Sequence, residues 1–154
     1  MKVFLIPLAS ALALVPAAPA ADSNDAPKPV AQLADNAVEA RRIALDLAGA
    51  FSNDGFKLRD GHWIGELKQG SPALLQVNLY AGNEYWFSAA SASHEGAFSV
   101  SLLDEKGAPI EFEPFAEPGR GAAGFSPEIS GPYYLKLVWK GAAPTPVCVV
   151  YSYK

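Results

Sequence analysis

The sequence predicts a mainly β fold, a jelly-roll-like antiparallel β-sandwich with one N-terminal α-helix, and three observations carry that prediction. From Phe56 onward apolar residues recur at every second position in short runs. Turn residues interrupt these runs at intervals of roughly ten residues. No segment of helical period separates them, so the crossovers that a parallel sheet requires are missing.

Residues 1–20, MKVFLIPLASALALVPAAPA, read as a Sec-type signal peptide. Lys2 supplies the positive start, Val3 to Val15 the apolar run, and Ala18-Pro19-Ala20 a small-residue site for cleavage after Ala20. The run is shorter than the ~20 residues a spanning helix needs, and no Cys follows it for lipid attachment. The expected location is periplasmic or extracellular, with no stable membrane insertion after cleavage. Residues 21–29, ADSNDAPKP, are small, polar and proline-rich, and read as a flexible leader.

Residues 30–55 change to helical period. Leu33, Ala37, Ala40, Ala44, Leu47 and Phe51 form an apolar stripe, with Asp35, Glu39, Arg42 and Asp46 mostly off it. Glu39 and Arg42, three apart, can pair on the wet side. Ser52-Asn53-Asp54-Gly55 tolerates the turn that ends the helix. The alanine-rich stripe suits close docking onto a sheet.

Residues 56–154 form the sandwich, in seven or eight strands. Phe56 and Leu58 alternate with Lys57 and Arg59, Asp60-Gly61 turns, and His62 to Leu67 makes a second strand. Leu75, Val77 and Leu79 share one face opposite Gln76, Asn78 and Tyr80. After Ala81-Gly82-Asn83, Tyr85 and Phe87 alternate with Glu84, Trp86 and Ser88. If the chain simply reverses at that turn, Tyr85 and Phe87 join the face of Leu79, and Trp86 joins Tyr80. Phe98, Val100 and Leu102 mark a further strand, and Ile110 with Phe112 another, flanked by Glu111 and Glu113. Pro114 to Gly124 reads as one long irregular loop. Tyr133 to Trp139 and Val147 to Tyr153 complete the set.

Composition excludes several classes. The formal charge is −4, and cleavage removes one lysine and no acid, leaving −5. No basic stripe exists for nucleic acid. Cleavage leaves 134 of the 154 residues, enough for one domain with its own core and no disulfide staples. The single cysteine, Cys148, lies in the strand-like run PVCVVYSY, where a small buried hydrophobe is the simpler reading and an intermolecular disulfide the sharper one.

Three segments resemble a known family. Leu79-Tyr80-Ala81-Gly82-Asn83-Glu84-Tyr85-Trp86-Phe87, the run Phe98 to Asp104 with Gly107, and Ser130-Gly131-Pro132-Tyr133-Tyr134-Leu135-Lys136-Leu137 are similar, in order and spacing, to strands of bacterial pre-peptidase C-terminal domains. The resemblance covers residues 62–153. It implies a small extracytoplasmic sandwich that accompanies a secreted hydrolase; here the segment ahead of the motifs reads as a helix instead. The family carries over no catalytic residues, and no Asp-x-Asp cluster is present for calcium.

Reactive chemistry is sparse. His62 and His94 are thirty-two residues apart, without the spacing of a zinc site. No serine lies in a Gly-x-Ser-x-Gly elbow, and Gly119-Arg120-Gly121 leads into a strand rather than a phosphate-binding helix. Glu111 and Glu113 read as a solvated strand face, without the burial that acid–base pairs need. No catalytic residue, metal ligand or cofactor site is assigned. The candidate ligand-binding residues are Trp86, Tyr80, Tyr134, Trp63, Phe115 and Arg120. Rings among amides and acids suit a sugar platform, but Trp86 and Tyr80 would equally receive the helix, and burying Trp86 there favours the helix by ~2–3 kcal/mol. The expectation is a non-enzymatic exported binding or accessory module with a protein or glycan partner; a carbohydrate-binding protein and a small secreted hydrolase are the alternatives.

Overall fold

The fold is that of a computed structural model, which describes residues 30–154. The signal peptide and leader assigned to residues 1–29 lie outside them. Helix α1 (Val30–Gly49) is followed by a single 3-10 turn (Ser52–Asp54), and Gly55 closes it at φ +87°, a left-handed backbone that glycine adopts without strain. Nine strands follow: β1 (Lys57–Leu58), β2 (Trp63–Leu67), β3 (Ala73–Leu79), β4 (Tyr85–Ser91), β5 (Phe98–Leu103), β6 (Glu113–Glu117), β7 (Arg120–Phe125), β8 (Gly131–Trp139) and β9 (Thr145–Tyr153). They form two packed antiparallel sheets, β1-β9-β4-β7-β6 and β3-β8-β5, with β2 pairing β9 beside β1.

Alternation builds the core between the sheets. Tyr85 and Phe87 of β4 and Val147 and Val149 of β9 meet Leu79, Leu102, Leu135, Leu137 and Trp139 of the smaller sheet. Ala81-Gly82-Asn83 does not fold β3 and β4 into a hairpin, however. The chain there leaves the smaller sheet, where β3 pairs β8, and enters the larger, where β4 pairs β7 and β9. The crossing is fixed by the Tyr85 hydroxyl, which accepts from the backbone N–H of Tyr80 at 3.0 Å and from Asn83 Nδ2 at 3.1 Å. Leu79 and Phe87 therefore enter the same core from different sheets, and Tyr80, just past the end of β3, shares no sheet face with Trp86.

Strands β4 and β9 are buried on both sides because α1 covers their outer face. Ala40, Ile43, Ala44 and Ala48 pack on Ala90, Cys148 and Val150. The stripe is rotated toward Ile43 and Ala48, leaving Leu33 and Ala37 half-exposed. On the wet side Arg42 reaches Glu39 at 2.7 Å and Asp46 at 2.6 Å. At the end of the helix Phe51 stacks on Trp86, with centroids 4.2 Å apart and planes 9° from parallel. Phe51, just past the helix, thus covers one face of Trp86, which stays partly exposed, and Tyr80 is 58% exposed.

Two sequence expectations are corrected. Pro114–Gly124 is not a loop: it contains most of the β6–β7 hairpin, turned by Pro118-Gly119 with Gly119 at φ +73°. Strand β6 is a sheet edge, where Pro114 sacrifices no required pairing. Strand β7 escapes alternation because Gly121, Ala122, Ala123 and Gly124 are all buried. The second correction concerns Ile110 and Phe112, which form no strand. They lie half-buried on the core in an irregular segment tied by the Ile110 N–H to Leu102 O at 3.1 Å.

Gly124 stands directly opposite Trp86 in the ladder, and a Cβ there would lie 2.8 Å from the indole. Phe51 on the other face of the ring leaves it no room to retreat. Gly124→Ala is therefore expected to destabilise the fold by about 1–3 kcal/mol in urea denaturation; an unchanged midpoint would show the indole free to move.

Candidate functional site

A sandwich has two open margins unless something closes them. One is closed here: β5 lies against the β6–β7 hairpin, with Gly121 bringing the backbones close enough that a Cβ would sit 3.2 Å from Val100. At the other margin, between β3 and the β1–β2 pair, a cleft of about 570 Å³ opens. Its floor is core: Phe87, Leu135 and Val149.

Local sequence places its walls. Strands β1 and β2 pair different parts of β9, so the link Arg59–His62 must swing outward between them, and Gly61 at φ +99° makes the turn. The Arg59 N–H donates to Tyr151 O at 2.9 Å, and the Arg59 guanidinium lies 5.6 Å from the centre of the Tyr151 ring. Burial raises the Tyr151 hydroxyl above its ordinary pKa, with the Arg59 charge opposing. The Trp63 indole lies over Gly65, where any Cβ would collide with the ring. Gln76 and Asn78 border the cleft from β3, an edge strand whose outer backbone groups are unpaired by any strand.

The cleft therefore offers two aromatic rings, a guanidinium, the Asp60 carboxylate and the His62 imidazole over an apolar floor, with Gln76 and Asn78 at its rim on the outward face of β3. No Ser, Thr or Cys lines it.

The six residues singled out from sequence do not converge. Trp63 forms the cleft wall. Trp86 and Phe115 line a separate groove at one end of the larger sheet. Tyr134 is half-buried on the outward face of β8, opposite Gln76 and Leu103, and Tyr80 lies just beyond β3. Arg120 is ion-paired with Glu117 at 3.2 Å. His94 lies outside the cleft that holds His62, and Glu111 and Glu113 are exposed. Among the described residues no group of three or more His, Cys, Asp or Glu is placed to hold a metal ion. Sequence reasoning missed Arg59, Asp60, Gln76, Asn78 and Tyr151 as site residues, because two edges distant in the chain bring them together. The Asp60-Gly61 turn running into His62-Trp63 was the available signal.

No family model matches the chain, and a search of curated proteins finds no match.

Cys148 lies beneath α1, and burial pushes its thiol from 9.0 up to about 11. The folded chain holds the neutral thiol while the unfolded chain ionises first. Its contribution is complete below pH 9.0 and is lost as pH rises toward about 11. In urea midpoints measured across that range, Cys148→Ala should flatten the alkaline decline, leaving the part due to Tyr151; an unaltered slope would rule out the buried thiol as its source.

Proposed function

We propose that the chain is an exported, non-enzymatic binding or accessory module whose ligand enters the cleft between β2 and β3. The observation that carries this reading is the asymmetry of the sandwich: one margin sealed by the hairpin, the other open, with rings and charges gathered over exposed core. Export rests on the signal-like residues 1–20; among the described residues no helix is long and apolar enough to cross a membrane.

The motifs resembling pre-peptidase C-terminal domains support the scaffold part of the proposal. Tyr85, Phe87 and Leu135 are core, Gly82 turns the chain at φ +89°, and the Tyr133 hydroxyl donates to Ile129 O at 2.7 Å. They are framework, so the ligand is to be sought from the cleft.

Glycan is the ligand class that the cleft favours among those considered, since Trp63 and Tyr151 can stack on sugar faces while Arg59, Asp60, His62 and the unpaired backbone edge of β3 bond hydroxyls. A hydrolase reading finds less support, because among the described residues no serine, threonine or cysteine lines the cleft beside His62 and Asp60.

Titrating soluble oligosaccharides and polysaccharides against tryptophan fluorescence and calorimetry tests the proposal. Trp63→Ala is expected to cost about 30-fold in affinity, as for a buried aromatic anchor, while Tyr134→Ala leaves affinity unchanged. The opposite pattern would move the site to the outer face of β8.

A further inference from the structure

The groove holding Trp86 and Phe115 shares no residue with the cleft, and its chemistry is different. It lies where β4 and β6 begin and β9 ends. Two adjoining hollows of about 590 and 450 Å³ share Phe56, Glu84, Trp86 and Glu113. Pairing explains the arrangement: Gly124 lies between Trp86 on one side and Glu113 on the other, so ring and carboxylate stand on one face with no side chain between them. Phe115, two residues along β6, repeats the ring on that face.

Four carboxylates border the two hollows, from Asp54, Glu84, Glu111 and Glu113, against one cation, Lys154. That cation displays what the groove holds. Lys154 Nζ sits 3.0 Å from Glu84 Oε2 and 4.5 Å from the centre of the Phe56 ring, an ammonium gripped by a carboxylate and a π face together. Among the described residues Asp54, Glu111 and Glu113 make no such ion pair at the rim. Their separation by rings is unsuited to a metal ion, which needs its oxygens converging at bonding distance. It suits ammonium groups separated by methylenes, with charge on the carboxylates and the chain on the rings.

We propose that this groove binds a linear aliphatic polyamine, in the manner of the seated Lys154 side chain and in competition with it. The hollows are open and bordered by carboxylates beside the rings of Phe56, Trp86 and Phe115, and the seated Lys154, one ammonium on a methylene chain, is the pattern for the occupant.

Spermidine titrated into the full chain, followed by calorimetry and by Trp86 emission, tests the assignment. Saturable binding that weakens with added sodium chloride is expected. Glu113→Gln should weaken it about threefold, by loss of one exposed ion pair. Lys154→Gln should tighten it by about the same factor, because it vacates Phe56 and Glu84 and leaves the rim more negative. Both sites are on the surface, and circular dichroism confirms that each variant is folded. The proposal is overturned by an absence of saturable binding, by tightening that fails to appear in Lys154→Gln, by indifference to Glu113→Gln, or by capture of an oligolysine peptide without spermidine.

Discussion

The contact between α1 and the outer face of β4 and β9 governs the rest of the molecule. Without it those central strands would present Trp86, Ala90, Cys148 and Val150 to water. With it they are buried on both sides and become the middle layer of a three-layer structure. The contact is built from small residues, alanine against alanine and cysteine, so the helix lies close to the sheet. Its far end is secured by an aromatic clamp, with Trp86 held between Phe51 and the bare backbone of Gly124. The layer is not flawless. The hydroxyls of Ser88 and Ser152 are buried with no hydrogen-bonding partner, a cost that the surrounding apolar contact has to offset.

That arrangement fixes where recognition can occur. The helix occupies one broad face of the larger sheet, and the β6–β7 hairpin seals one margin. The free surfaces are the outer face of β3-β8-β5, the margin between β2 and β3, and the strand ends. The margin exposes core rings beside charged groups, whereas Tyr134 and Tyr80 on the outer surface stand apart from both hollows. Shape, more than the count of aromatic residues, separates the two kinds of position.

Much of the scaffold was legible in the sequence because its cause is local. Alternation in β3, β5 and β8 marks strands with one wet face, and the stripe of α1 marks a helix with one dry face. Legibility failed where the cause is distant. Strand β7 is glycine and alanine because Trp86 and the β5 margin crowd it, and neither is near it in the chain. The expected Ile110–Phe112 strand has the right period, but it meets β5 only at Pro109 and Ile110 and forms no continuous ladder. The cleft was hidden for the same reason: Trp63 was recognised as a ring, but not its proximity to Tyr151, Gln76 and Asn78. Trp86 was ambiguous until the helix could be placed. The two readings, platform or docking surface, differ only in tertiary structure.

Strand β9 pairs with β1, β2 and β4 and supports α1 as well. Elements formed from residues 30–67 therefore have no shared template until residues 145–153 arrive. Assembly must wait on closure of very long loops, so the chain belongs to the slow regime of β topologies, on the order of milliseconds to seconds. The same dependence makes this late segment the keystone: peel it away and the first two strands and the cleft they frame are lost, while the helix keeps only β4 beneath it.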